Sequence, residues 1–153
     1  MTEKNTQSPN IEQWEREGHR TIIDIADMLG VPSGFYSENP LNLIPALQNY
    51  ASRLPLGEFE ESDWVTLQTD LMSYVADFLI QRHGAHWTVA DDPTNVRGYR
   101  YVIESIGLDG KTRRIDPNDI VREECRKLPI EITRMLASAE LTLRLTREAS
   151  ELE

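Results

Sequence analysis

Three histidines, one cysteine and 26 carboxylates are the groups through which this 153-residue chain could do chemistry. His83 and His86 stand close to Asp91 and Asp92 and could be imagined as metal ligands. Their spacing straddles a helix end and a strand, which matches no standard ligand pattern. We therefore read His83 as a helix-capping residue, His86 as exposed and Asp91–Asp92 as a turn. Asp116-Pro-Asn-Asp119 opens like a calcium loop but lacks the central glycine and the closing bidentate glutamate. Helix capping explains both aspartates and the proline together. Cys125 falls on the apolar side of its helix pattern. A nucleophilic thiol needs a base and some exposure, and His19 is far from it in sequence, so a buried, inert thiol is expected.

The carboxylate clusters Glu58, Glu60, Glu61 and Glu123, Glu124 are expected on solvated faces, because acid–base pairs need facing geometry that spacing alone does not supply. Gly98-Tyr-Arg-Tyr101 with Arg113 and Arg114 combines aromatic and basic groups, as surfaces that stack single-stranded nucleic acid do. The net charge of −10 opposes that use. The chain has no G-x-S-x-G, no phosphate-binding glycine loop and no dinucleotide fingerprint. No catalytic, metal or cofactor-binding residue is assigned, and no cofactor is expected.

The excess negative charge is unevenly placed. Residues 1–92 hold 15 acidic and 5 basic residues, whereas residues 93–153 hold 11 of each. This balance argues against nucleic acid and against an anionic membrane surface, and is compatible with a basic protein partner. No apolar run approaches the length of a membrane span. Residues 1–10 lack the apolar segment of a secretory signal. With a single cysteine no internal disulfide can form, and a bacterial-style cytoplasmic location is expected.

The elements that must position these groups centre on residues 62–89. Trp64, Leu67, Leu71, Tyr74, Val75 and Phe78 recur at helical steps, and Val65, Met72, Ala76 and Leu79 add a second apolar stripe. A helix apolar on two stripes belongs at the centre of the core. Ser62 is its expected N-cap, Asp63 favours the helix dipole, and Gly84 ends it. Trp87 and Val89 then alternate with polar neighbours, as in a strand.

Before this stretch, residues 1–9 are expected to be a disordered tail. Asn10 caps a helix carrying Ile11, Trp14, Ile22, Ile25 and Leu29, with Gly18 read as a close helix crossing. Residues 31–42 look like a loop. Asn42 caps a short helix with Pro45 in its first turn and Ile44, Leu47, Tyr50, Ala51 and Leu54 inside. After residue 98, Tyr99, Tyr101, Ile103 and Ser105 share one strand face. Asp109-Gly110 predicts a two-residue turn that sets Ile106 opposite Arg113 and Glu104 opposite Ile115, with Glu104 diagonal to Arg113 as an ion pair. Asp116 caps a helix running to Leu128, and a last helix spans about 129–150 and frays over Glu148–Glu153. The expected fold is α+β: four to five helices against a three-stranded antiparallel meander, forming one domain over residues 10–150.

From Leu67 to about Leu128 the chain resembles a bacterial domain family of unknown function. A helix ending in glycine is followed by Gly84, His86, Trp87 and Val89, the Asp91–Asp92 loop, a hairpin and a helix. The resemblance is a packing pattern and implies no functional residue. In general character the chain is also similar to small acidic immunity proteins that neutralise toxins. The function expected is that of a non-enzymatic binding protein, in its sharpest form an immunity or inhibitor protein with a basic partner. The alternatives are a secretion-chaperone-like homodimer and a small enzyme using carboxylates or Cys125.

Overall fold

The computed structural model describes residues 9–146. Helices α1 (Ile11–Met28), α2 (Ser33–Glu38), α3 (Ile44–Arg53) and α4 (Glu61–His83) precede strands β1 (His86–Asp91), β2 (Tyr99–Ile106) and β3 (Thr112–Ile115). Helices α5 (Pro117–Cys125) and α6 (Ile132–Thr142) close the chain. The sheet is an antiparallel meander in the order β1-β2-β3. The fold is α+β.

Helix α4 is the centre. Every residue from Leu71 to Leu79 is buried, and its neighbours in the core come from all the other helices and strands. Its apolar wrap begins later than expected, since Val65 is exposed. Its start also differs. Ser62 lies within the first turn, and the cap is Glu60, whose backbone N–H donates to the Asp63 carboxylate at 3.0 Å. A carboxylate in the first turn also meets the positive end of the dipole. Asn10 caps α1 by accepting from the Gln13 N–H, and Asp116 caps α5 by accepting from the Asn118 N–H.

Residues 31–43 are more ordered than a loop. The six-residue α2 is too short to show a period, yet it seats Tyr36 at zero exposure. A 3-10 turn over Pro40–Leu43 follows, capped by the Asn39 side chain on the Leu41 N–H. Asn42 is therefore not the cap of α3; its side-chain amide donates to the Phe35 carbonyl. Pro45 does lie in the first turn of α3.

The hairpin differs from expectation by one residue. Gly110 adopts φ +78° and its N–H donates to the Gly107 carbonyl, so the loop is Leu108-Asp109-Gly110 with a left-handed third residue. Ile106 pairs with Thr112, and Ile103 with Ile115. A one-residue slip exchanges the faces of a strand. Ile115 consequently joins the core, Glu104 meets Arg114 at 2.6 Å, and Arg113 turns to Asp109.

Helix α6 begins at Ile132 and ends at Thr142, well short of residue 150. Arg144 takes a left-handed φ of 57°, and its carbonyl accepts from the Leu108 N–H at 2.8 Å. The segment after α6 is thus tied to the hairpin beside Gly107. The expected N-terminal tail, apart from Pro9, and the fraying over Glu148–Glu153 lie outside the described residues.

Gly18 is not at a close crossing, because no atom lies within 4 Å of an added Cβ there. At Gly107 an added Cβ would meet the Leu143 carbonyl at 2.9 Å and Arg113 Nη1 at 2.7 Å. Two glycine-to-alanine changes should therefore act with opposite sign in urea unfolding. Gly18→Ala should raise stability by about 0.5–1 kcal/mol, and Gly107→Ala should lower it by about 1–3 kcal/mol.

Candidate functional site

Asp77 lies in the middle of the apolar run of α4 and is 5 % exposed. A buried carboxylate must be met by donors. Three reach it: the Tyr36 hydroxyl of α2 donates to Oδ2 at 2.5 Å, Gln81 Nε2 donates to Oδ2 at 2.7 Å, and His19 Nδ1 of α1 lies 2.9 Å from Oδ1. Because a carboxylate only accepts, Nδ1 of His19 carries the proton. Burial, and then the Asp77 charge, push the Tyr36 hydroxyl above its ordinary pKa range. The same two causes raise Tyr74, whose hydroxyl donates to the Pro40 carbonyl at 2.8 Å. The 3-10 turn that follows α2 is fixed to α4 by that second bond.

His19, Asp77 and Gln81 floor an open cleft of about 730 Å³ between α1 and α4, with Glu12, Glu15, Arg16 and Arg20 on its α1 side and Ile80 on its α4 side. On the other flank of α1 a smaller pocket of about 160 Å³ lies against Gly18, walled by Trp14 and Trp87. Trp14 stacks on Tyr101 at 4.2 Å and meets Trp87 edge to face at 5.4 Å. Trp14 Nε1 is a buried donor without a partner, the one such side-chain atom among the described residues. Leaving a buried donor unmet costs about 1–3 kcal/mol.

The groups singled out by spacing are dispersed. His83 Nε2 contacts Glu140 Oε2 of α6 at 2.7 Å, and exposed His86 contacts Glu104 at 3.4 Å. Asp92 accepts from the Thr94 hydroxyl and N–H in a turn, and the hydroxyl bond leads in holding its carboxyl below the ordinary range. No group of three His, Cys, Asp or Glu placed to hold a metal occurs among the described residues. Cys125 is half-buried rather than buried. Burial, then the Glu124 charge, push its thiol up and away from the thiolate a nucleophile requires. Gly98-Tyr-Arg-Tyr101 does not form an open stacking platform, since Tyr99 and Tyr101 are buried and Arg97 covers both rings at 5.3 and 5.6 Å.

Glu124 is the clearest departure from a solvated face. It is 3 % exposed and takes a bidentate grip from Arg134 Nε and Nη2, at 3.0 and 2.6 Å to Oε2, while also accepting from the Glu131 N–H. Two carboxylates are thus buried, Asp77 inside an apolar run and Glu124 inside a charged one. Asp77 inside Leu71–Leu79 was the available signal, since a charge in such a run requires partners. His19 and Tyr36 carry no local mark of being those partners.

The Lys and Arg bridges seen between described residues lie from Arg100 to Arg134. Among the described residues, exposed Glu12, Glu15, Glu17, Asp24, Asp27, Glu58, Glu60, Glu61 and Asp63 have no such bridge. The helical half therefore keeps its negative field, and the sheet half neutralises its own. No helix among the described residues is long and apolar enough to cross a membrane. No protein-family model, curated protein or solved structure matches the chain.

Removing Asp77 should leave Tyr36 with a buried, unanswered hydroxyl. Asp77→Ala is expected to cost about 3 kcal/mol and Tyr36→Phe about 1 kcal/mol, with the double variant costing less than the sum. Urea unfolding of the four proteins measures this. Additive effects, or a cost of Asp77→Ala below about 1 kcal/mol, would show that the bonds are incidental.

Proposed function

We propose that this is a non-enzymatic binding protein whose acidic helical half receives a basic protein partner, in the manner of an immunity or inhibitor protein. The supporting observation is the contrast between the two halves. Among the described residues, exposed carboxylates along α1 and at the entry to α4 have no Lys or Arg bridge, whereas those from Glu104 to Glu131 are bridged. Unneutralised surface charge of one sign draws an oppositely charged partner and sets the rate of encounter. The cleft between α1 and α4 interrupts this face and gives it relief. We place the protein in the bacterial cytoplasm, where a lone unpaired cysteine is ordinary.

A panel of strongly basic proteins, tested by titration calorimetry at low and high salt, examines the proposal. At least one should bind, with affinity that falls as salt rises. Reversing Glu12, Glu15 and Glu61 to lysine should weaken that binding by about tenfold or more. Reversing Glu123 and Asp119 on α5 should leave it within about twofold. No binding by any basic protein, or equal loss from both sets, would refute the assignment.

A further inference from the structure

We infer that the pocket beneath Gly18 is a binding site for an alkylammonium group, filled by a lysine side chain of the basic partner; the inference rests on the binding role proposed above. The pocket offers acceptors. Thr21, Thr69 and Ser73 line it, and each hydroxyl hydrogen is already donated to a backbone carbonyl one turn earlier, at 2.9, 2.8 and 3.1 Å. Their remaining capacity is to accept. The Glu17 carboxylate adds a negative charge at the wall. No Lys or Arg among the described residues lines the space.

Trp14 and Trp87 stand at 88° to one another and form an aromatic corner. Aromatic rings attract cations, and the neighbouring rings of this cluster already do so, with Arg97 over Tyr99 and Tyr101. No cation of the described residues lies over the Trp14–Trp87 corner. The volume of about 160 Å³ suits the tip of one side chain and is too small for a drug-sized ligand. A lysine side chain carries the ammonium that these acceptors and rings would hold.

Gly18 gains a purpose from this arrangement. Glycine in mid-helix is disfavoured, and nothing packs closely enough here to demand it. Its missing side chain keeps the mouth of the pocket open.

The test is an NMR titration of the full chain, following the three indole N–H signals. The probes are Nα-acetyl-lysine methylamide, its uncharged norleucine counterpart and n-butylammonium. The lysine probe should shift Trp14 and Trp87 saturably, with Trp64 unmoved, at a dissociation constant on the order of 1 mM. The norleucine probe should bind about tenfold more weakly, and n-butylammonium about as tightly as the lysine probe, because the ammonium is the group recognised. Gly18→Leu fills the space with a good helix former and should abolish the shifts while circular dichroism stays native. Glu17→Gln, a surface change, should weaken binding severalfold even if Gly18→Leu unfolds. Equal binding of the lysine and norleucine probes, unchanged binding by either variant, or no binding of n-butylammonium would overturn the assignment. Probe binding without any basic protein partner would refute the proposed function alone. Partner binding that survives Gly18→Leu would refute the pocket's lysine role alone.

Discussion

One buried charge organises the helical half. Asp77 sits where α4 is otherwise apolar on every side, and such a carboxylate is tolerable only when donors replace the water it has lost. Those donors come from α1, α2 and α4 itself. Meeting the charge therefore fixes where α1 and α2 lie. Tyr36 can reach Oδ2 only if Ser33–Glu38 folds as a short helix against α4, and Tyr74 then holds the following turn through the Pro40 carbonyl. Helix α1, drawn in through His19, crosses α4 so that a cleft remains on each flank. The relief of the surface thus follows from a demand in the core.

The two halves of the chain handle charge differently. In the sheet half carboxylates are matched in place: Glu104 by Arg114, Asp109 by Arg113, Glu124 by Arg134. The Arg113 fork, with the Lys111 N–H, holds the Asp109 carboxyl well below the ordinary range, and Arg114 does the same for Glu104. These groups serve the fold. In the helical half Asp77 is answered from within, while the exposed carboxylates of α1 and the α4 entry have no Lys or Arg bridge among the described residues.

What was legible in the chain was local. Asn10, Asp116 with Pro117, and Gly84 mark helix ends because capping depends on a few adjacent residues. The face of β2 was legible because alternation over eight residues is a strong signal. The hairpin register was not, since Asp-Gly serves a two-residue turn and a three-residue bulged loop equally, and only the packing of Ile115 decides between them. Ser62 is a plausible cap by residue type, yet the helix starts one residue earlier at Glu61 and Glu60 takes the cap position, with Asp63 reaching back to its N–H. The hub itself was invisible because His19, Tyr36 and Asp77 are separated by 41 and 58 positions. Gly18 was noticed but given the wrong cause, since spacing reports that a side chain is missing and not what occupies the room it leaves.

The most direct test of this account is native-state hydrogen exchange on the wild type and Asp77→Ala. If Asp77 clamps the helical half, amides of α1 and α2 should lose protection together in the variant. Those of β1, β2, β3 and α6 should keep theirs relative to the global limit. Uniform loss across all elements, or unchanged protection in α1 and α2, would contradict the claim that this one buried carboxylate holds that half in place.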